Sequence, residues 1–232
     1  MPADLVMLCP TRGRPAAARE LADAWPEFTT AGAQLMLLID HDDPERAAYE
    51  AIGGRDGVYP YTGPAARVGP WLNRMAPKVA ETGAKAVGFL GDDHRPRTKG
   101  WDARFLAALD GMGGGVVYGN DLYQRERIPT AVAISAPIVR ELGGMVPSGL
   151  EHLYLDNFWA ALGTQLDRLA YLDDVIIEHV HPLAGKAAWD AGYARVNGPD
   201  QYARDAAAFR AYLAAGFADD VERVRGCLAP VP

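Results

Sequence analysis

Cysteine is scarce. Cys9 and Cys227 stand near opposite ends of 232 residues, too few and too far apart for a disulfide framework. No C-x-x-C occurs, so a metal or redox site of that kind is excluded, and two reduced, partly buried thiols are expected. Positive charge is also in deficit. Lys and Arg number 23 against 30 Asp and Glu, a formal net charge of −7. That balance argues against a general nucleic-acid or membrane-surface binder, though a local basic patch stays open. No run of 18 apolar residues exists, so no transmembrane helix and no membrane partner is expected. The opening MPADLVMLCPTRGRP has no basic segment followed by a long apolar stretch. No signal peptide is expected there, and the cytoplasm is the expected location. Neither Gly-x-Gly-x-x-Gly nor a Walker pattern appears, and the glycine-rich Gly111–Gly115 matches neither, which weakens dehydrogenase and P-loop readings.

What is present is ordinary globular composition, 49% hydrophobic and 23% charged, in a length suited to one domain with a sizeable core. The short apolar runs Leu5–Cys9 (closed by Pro10), Gln34–Ile39 and Ala86–Leu90 read as buried strands. Ala16–Trp25, Ala47–Ala51 and Asn73–Thr82 read as helices, with a Gly/Pro-rich stretch from Gly53 to Pro70. Apolar strands separated by helices are the signature of a parallel sheet covered on both faces. Further on, a helix is expected at Trp101–Leu109, strands at Val116–Tyr118 and Ala131–Ser135, and helices at Pro137–Leu142 and Asp156–Gly163. Ala170–Leu172 and Val175–His181 read as a strand pair or one bent strand, and Gln201–Leu213 and Ala218–Arg225 have helical spacing.

Ligands of parallel sheets bind beyond the carboxyl ends of the strands, and the polar clusters fall there. Asp92-Asp93-His94 follows the third apolar strand. Two adjacent carboxylates are costly to bury, because like charges repel and desolvation adds to the cost. A divalent cation arriving with a diphosphate resolves both problems; oxygen ligands suit Mg²⁺ or Mn²⁺, and a nearby histidine favours Mn²⁺. The plainer reading is a solvated acidic turn. Strand alternation puts His179 and His181 on one face, where neutral imidazoles can meet a cation or phosphate, or form a hydrogen-bonded structural pair. In Pro10-Thr11-Arg12-Gly13-Arg14-Pro15 the arginines can grip phosphate or stack on a base, and Gly13 lets the backbone approach closely. A solvated basic loop is the alternative. Asp40 can accept hydrogen bonds from a ribose or base, or cap the helix near Pro44, a role for which Asp42 and Asp43 compete. Asp156 reads as a general base or as a helix cap.

Taken in order over residues 5 to about 190, these motifs resemble the GT-A fold glycosyltransferases, particularly the family-2-like group with short catalytic domains. LVMLCPTRGRP is similar to the first strand and nucleotide loop, and LLIDHDDP to the second strand. FLGDDHRPRTKGWD is similar to the strand carrying the Asp-x-Asp-type metal motif, here written Gly-Asp-Asp-His. LEHLYLDNFWAAL resembles the acceptor-side motif whose aspartate is the base in inverting members, with Leu155 in place of the usual preceding glutamate. YLDDVIIEHVHP resembles the terminal strand whose histidine completes the metal site.

The resemblance implies an α/β GT-A fold with a mostly parallel central sheet flanked by helices. It implies one domain over residues 1–232: a nucleotide-binding half at 1–110, an acceptor-side half at 111–200 and a helical tail at 201–232. The activity it implies is metal-dependent transfer of a sugar from a nucleotide diphosphate donor, UDP-sugar by default. The acceptor is a hydroxyl of a protein, a glycan or a modified nucleobase. Asp93 with His179 or His181 would hold Mn²⁺ or Mg²⁺, and Asp156 would be the catalytic base. Donor contacts are assigned to Pro10, Thr11, Arg12, Arg14, Asp40, Asn73, Gly91, Asp92 and Lys186. Compact enzymes of this kind resemble those of bacteriophages and bacterial glycan clusters. A DNA acceptor would need a basic surface, for which Arg95, Arg97, Lys99 and Arg104 are the candidates. Two alternatives remain. A sugar nucleotidyltransferase normally has a glycine-rich loop with a lysine, which PTRGRP lacks. A non-catalytic carbohydrate- or nucleotide-binding protein of the same fold would not need Asp93, Asp156 and the H-x-H pair together.

Overall fold

The computed structural model describes residues 3–181, 185–186 and 198–229. Pro182, in the H-x-H motif, lies outside them. The first half runs β1 (Leu5–Thr11), α1 (Pro15–Phe28), β2 (Gln34–Asp40), α2 (Arg46–Glu50), β3 (Val58–Gly63), α3 (Val68–Glu81) and β4 (Ala86–Phe89). Then come β5 (His94–Pro96), α4 (Trp101–Gly111), β6 (Val116–Asn120), β7 (Val132–Ser135), α5 (Ala136–Leu142), α6 (Leu155–Gln165) and β8 (Leu169–His179). Two helices close the described chain, α7 (Pro199–Ala215) and α8 (Phe217–Cys227).

One eight-stranded sheet carries the molecule, in the order β3-β2-β1-β4-β7-β6-β8-β5. Strands β3, β2, β1 and β4 are mutually parallel, and β6 is parallel to β8. Antiparallel β7 joins the two groups, and β5 adds antiparallel to β8. The apolar runs are buried on both faces, as alternation along β1 shows. Val6 and Leu8 pack with Trp71 of α3 and Phe158 and Trp159 of α6. Leu5, Met7 and Cys9 pack with Trp25 of α1 and Trp101 of α4. This is the two-sided burial that continuous apolar strands demand. Both cysteines are free, Cys9 buried and Cys227 partly so. Among the described residues no helix is long and apolar enough to cross a membrane.

The structure differs from the sequence reading in several places. β1 runs past Pro10 to Thr11. Leu8 C=O accepts from Leu90 N on the β4 side, and β4 pairing ends at Leu8, so the missing N–H of Pro10 leaves no ladder bond unmade. β3 lies inside the Gly/Pro-rich stretch. It is an edge strand with Tyr59 and Tyr61 exposed, where Pro60 is tolerated. α3 starts at Val68 rather than Asn73, which brings Trp71 into a helix. β8 is one strand, with a register shift against β6 at Gly119/Asn120. A Cβ on Gly119 would sit 2.5 Å from Val175 O, so only glycine lets the strands approach at this irregularity.

Gly119→Ala should therefore destabilise the fold by about 1–3 kcal/mol, read as a lower urea midpoint. Gly111→Ala, at the end of α4 with nothing within 4 Å of the added Cβ, should hold or raise stability by up to about 1 kcal/mol.

Candidate active site

The carboxyl ends of β1, β2 and β4 open onto a cleft of about 360 Å³, closed on its other side by the loops leading to β7 and α6. The turn after β4 places Asp92 and Asp93, both buried, at its floor. Arg95 fixes this turn, donating to the carbonyls of Asp92 and His94 at 2.7 and 2.8 Å while its other nitrogen meets Glu20. Asp92 accepts from Thr11 Oγ1 at 2.7 Å and pairs with Arg14 at 2.8 Å. Burial pushes the Asp92 carboxyl up; Arg14 pulls it down and the adjacent Asp93 adds to the rise.

Asp93 faces two imidazoles. Its Oδ1 is 3.3 Å from His94 Nδ1 and its Oδ2 is 3.4 Å from His179 Nε2, with Arg14 at 3.7 Å. Burial alone would push Asp93 up, but the contacts with His179 and His94 outweigh it and hold the carboxyl well below its ordinary value. His94 and His179 are opposite each other in the β5–β8 register, and their rings stack at 4.2 Å. Burial lowers His94 below its ordinary value, with the neighbouring His179 adding to the fall. Asp93, His94 and His179 each present a ligand atom within 4.8 Å of the others. Gly91 N–H donates to His94 Nδ1 at 3.0 Å, and a Cβ on Gly91 would lie 2.6 Å from Asp93 Oδ1.

The expected H-x-H pair thus divides. His179 joins Asp93, and its companion is His94 rather than His181. His181 stacks on Tyr123 at 6.1 Å and packs edge-on to His179 at 4.8 Å; burial lowers it to about 4. His179 is steered from behind by Asp121, a residue the sequence reading did not use. Its backbone N–H donates to Asp121 O at 3.0 Å, and its Nδ1 is 3.9 Å from Asp121 Oδ2.

Pro10, Thr11, Arg12, Arg14 and Asp40 line the cleft. Asp40 accepts from Trp71 Nε1 at 2.7 Å, from Ala66 N at 3.1 Å and from Arg12 at 2.9 Å, so it ties the nucleotide-type loop to the start of α3. It caps no helix. Asp43 does the turn-forming work instead, accepting from Gly13 N at 2.8 Å and Glu45 N at 2.9 Å. Two expected donor contacts lie elsewhere. Asn73 points to the loop after α5, accepting from Met145 N and Val146 N and donating to Val146 O, because those loop amides have no ladder partner. Lys186 pairs with Glu178 at 2.8 Å, the nearest carboxylate on β8. Neither lines the cleft. Of the four candidates for a basic surface, Arg95, Arg97 and Arg104 pair with Glu20, Glu178 and Asp174, and Lys99 is exposed.

Asp156 lies in the first turn of α6 and lines the cleft; the capping position belongs to Tyr154, at φ 63°. Asp156 Oδ1 accepts from Asn157 N at 2.9 Å, and burial raises the carboxyl above its ordinary value. Trp71, Tyr123, His152, Tyr154 and Tyr202 complete the walls. The sequence signal for most of these was weak, since an aromatic at helical spacing reads as core. The arrangement offers one ionised carboxylate beside two imidazoles at the floor, guanidinium groups on one wall and a carboxylate of raised proton affinity on the other.

No protein-family model matches this sequence, and no curated protein does. Solved structures match in fold. The mannosyltransferase PcManGT from Pyrobaculum calidifontis, in complex with GDP-Man and Mn²⁺, aligns with a TM-score of 0.60 at 12% identity, over 97% of this chain and 73% of that one. Glucosyl-3-phosphoglycerate synthase from Mycobacterium tuberculosis, with Mn²⁺, UDP and glucosyl-3-phosphoglycerate, aligns at 0.56 and 15% identity, over 78% of this chain and 74% of that one. S. aureus TarS 1-349 aligns at 0.55 and 13% identity over 75% of this chain, which spans 59% of the length of that structure. The mixed sheet, its helical layers and these likenesses agree: the chain has the GT-A glycosyltransferase fold.

Proposed function

We propose that this chain is a metal-dependent glycosyltransferase that moves a sugar from a nucleotide diphosphate to a hydroxyl acceptor. The observation that carries the reading is the Asp93–His94–His179 group at the floor of the cleft. Its carboxylate oxygens lie 3.3 and 3.4 Å from His94 Nδ1 and His179 Nε2, and one carboxylate with two imidazoles suits a divalent transition ion. Asp93, His94 and His179 would hold Mn²⁺ in preference to Mg²⁺, and a bound cation supplies charge neutralisation to a departing diphosphate. The similar folds crystallised with GDP-Man and Mn²⁺ or with UDP and Mn²⁺ support the same chemistry.

The chain's own groups divide the remaining work. Arg14 and Thr11 hold Asp92 in place beside Asp93, and Arg12 and Arg14 add positive charge on the donor wall. Asp40 and Trp71 shape that wall where a base or ribose would lie. Asp156 takes the proton of the acceptor hydroxyl as the oxygen attacks. A carboxyl whose proton affinity is raised by burial is better matched to that task than an ordinary surface aspartate. His152, Tyr154 and Tyr202 would face the acceptor.

Melting temperatures with UDP, GDP, CDP or dTDP, each with and without Mn²⁺, test the donor half. At about 100 times Kd a ligand adds about 2.7 kcal/mol, which at this chain length is a rise of roughly 5–10 °C. One nucleotide should give that rise with Mn²⁺ and lose it in Asp93→Ala. No response to any nucleotide would overturn the reading.

Asp156→Asn tests the other half. Donor turnover should fall about 10²- to 10⁴-fold. The same variant should melt higher than the wild type at neutral pH. Burial raises the folded-state pKa of Asp156, so its favourable contribution is full below the unfolded carboxyl value and is lost as pH rises through the folded one. The advantage of Asn should therefore shrink toward about pH 4. A variant melting lower than wild type at pH 8 would contradict the assignment.

A further inference from the structure

α7 lies outside the sheet, in the stretch expected to be a tail, yet it supplies a fully buried carboxylate. Asp205 Oδ1 accepts from Glu151 N at 3.2 Å. Its Oδ2 accepts from His152 N at 3.0 Å, Leu153 N at 2.7 Å and Gln201 Nε2 at 3.0 Å. Burial opposes ionisation, but these donors outweigh it and hold the carboxyl below its ordinary value.

The pinned loop is irregular. It runs from Gly149, at φ 100°, to Tyr154, at φ 63°, and α6 begins immediately after it. The amides of Glu151, His152 and Leu153 find their acceptor in a side chain of α7 rather than in a backbone ladder, and N–H groups left unpaired away from water are costly. On its other side Glu151 O accepts from Gly69 N of α3 at 2.9 Å. The loop is therefore gripped from two directions, and it delivers His152, Tyr154 and Asp156 to the cleft. α7 also reaches the cleft directly: Tyr202, three residues before Asp205, lines it, and Phe209 packs on Tyr154 at 5.7 Å.

We propose that Asp205 is a positioning residue for the acceptor half of the cleft, gathering the amides of residues 151–153 so that Asp156 is held at the point of sugar transfer. This rests on the glycosyltransferase reading given above. α7 is then a wall of the active site, and its first turns set the acceptor geometry without touching the donor.

The test uses the whole chain with Asp205→Ala, and Asp205→Asn as the conservative variant that retains one carbonyl acceptor. Three readouts are taken: amide hydrogen exchange in residues 150–156, the melting shift with nucleotide diphosphate and Mn²⁺, and hydrolysis of UDP-glucose or GDP-mannose with water as acceptor. In Asp205→Ala the amides of 151–153 should exchange about tenfold faster, the effect of losing a bond to a charged acceptor. The nucleotide shift and the donor KM should match wild type, while kcat for hydrolysis falls about 10- to 100-fold. Asp205→Asn should be intermediate in exchange and in kcat; if the alanine variant does not fold, it carries the comparison. Unchanged exchange, unchanged kcat, or a donor KM that changes together with kcat overturns the proposal. A wild type that responds to no nucleotide overturns the glycosyltransferase reading instead, and the two failures are read on different proteins.

Discussion

Two adjacent carboxylates buried at the end of one strand set the terms for the open end of this sheet. Asp92 and Asp93 repel each other, and both lose hydration, so neither is tolerable without partners brought from elsewhere. The loop after β1 brings Thr11 and Arg14 to Asp92. β5 turns back to set His94 against Asp93, and β8 extends far enough to add His179. The convergence of β1, β4, β5 and β8 at one place is thus what makes the acidic pair affordable, and the same convergence sets one carboxylate and two imidazoles together at the floor of the cleft.

Buried aspartates recur as anchors for irregular backbone. Asp102 accepts from the amides of Thr30, Ala31 and Ala33 in the loop between α1 and β2. Asp121 accepts from Tyr123, Gln124 and Arg125 while its other oxygen takes the Thr130 hydroxyl. Asp205 does the same for the loop before α6. In each case one carboxylate side chain satisfies several donors that no ladder reaches, which stiffens the loop. Two of the three loops line the cleft. In this molecule buried aspartates hold the irregular walls in place.

The sheet was legible in the sequence because apolar runs bounded by Gly, Pro and acidic residues carry both the strand positions and the two-sided burial. Asp93 was legible for the same reason: an acidic pair has few reasons to follow AVGFL. β3 was hidden because an edge strand can contain Pro60 and expose Tyr59 and Tyr61, which removes the apolar signature. β5 has three residues, too short for any period to show, so the pairing of His94 with His179 could not be read without the register. The resemblance placed Asn73 and Lys186 at the donor, but in the structure Asn73 bonds the Met145 and Val146 amides and Lys186 pairs with Glu178. Asp205 sits 53 positions from the amides of His152 and its neighbours, inside an ordinary helical pattern; nothing local distinguishes it from a solvated helix face.

The facing of His94 and His179 across β5 and β8 has a consequence for how such a site can diverge. Side chains alternate between faces of a sheet, so a slip of one residue in either strand turns an imidazole away from Asp93. The histidine pair therefore behaves as a parity check on chain length. A shift in the pairing of His94–Pro96 against β8 erases it, and the turn that follows is tied down as well, since the amides of Arg97 and Thr98 both donate to Ile176 O and Gly100 N donates to Phe28 O. For register changes, the two imidazoles beside Asp93 would be kept or lost together.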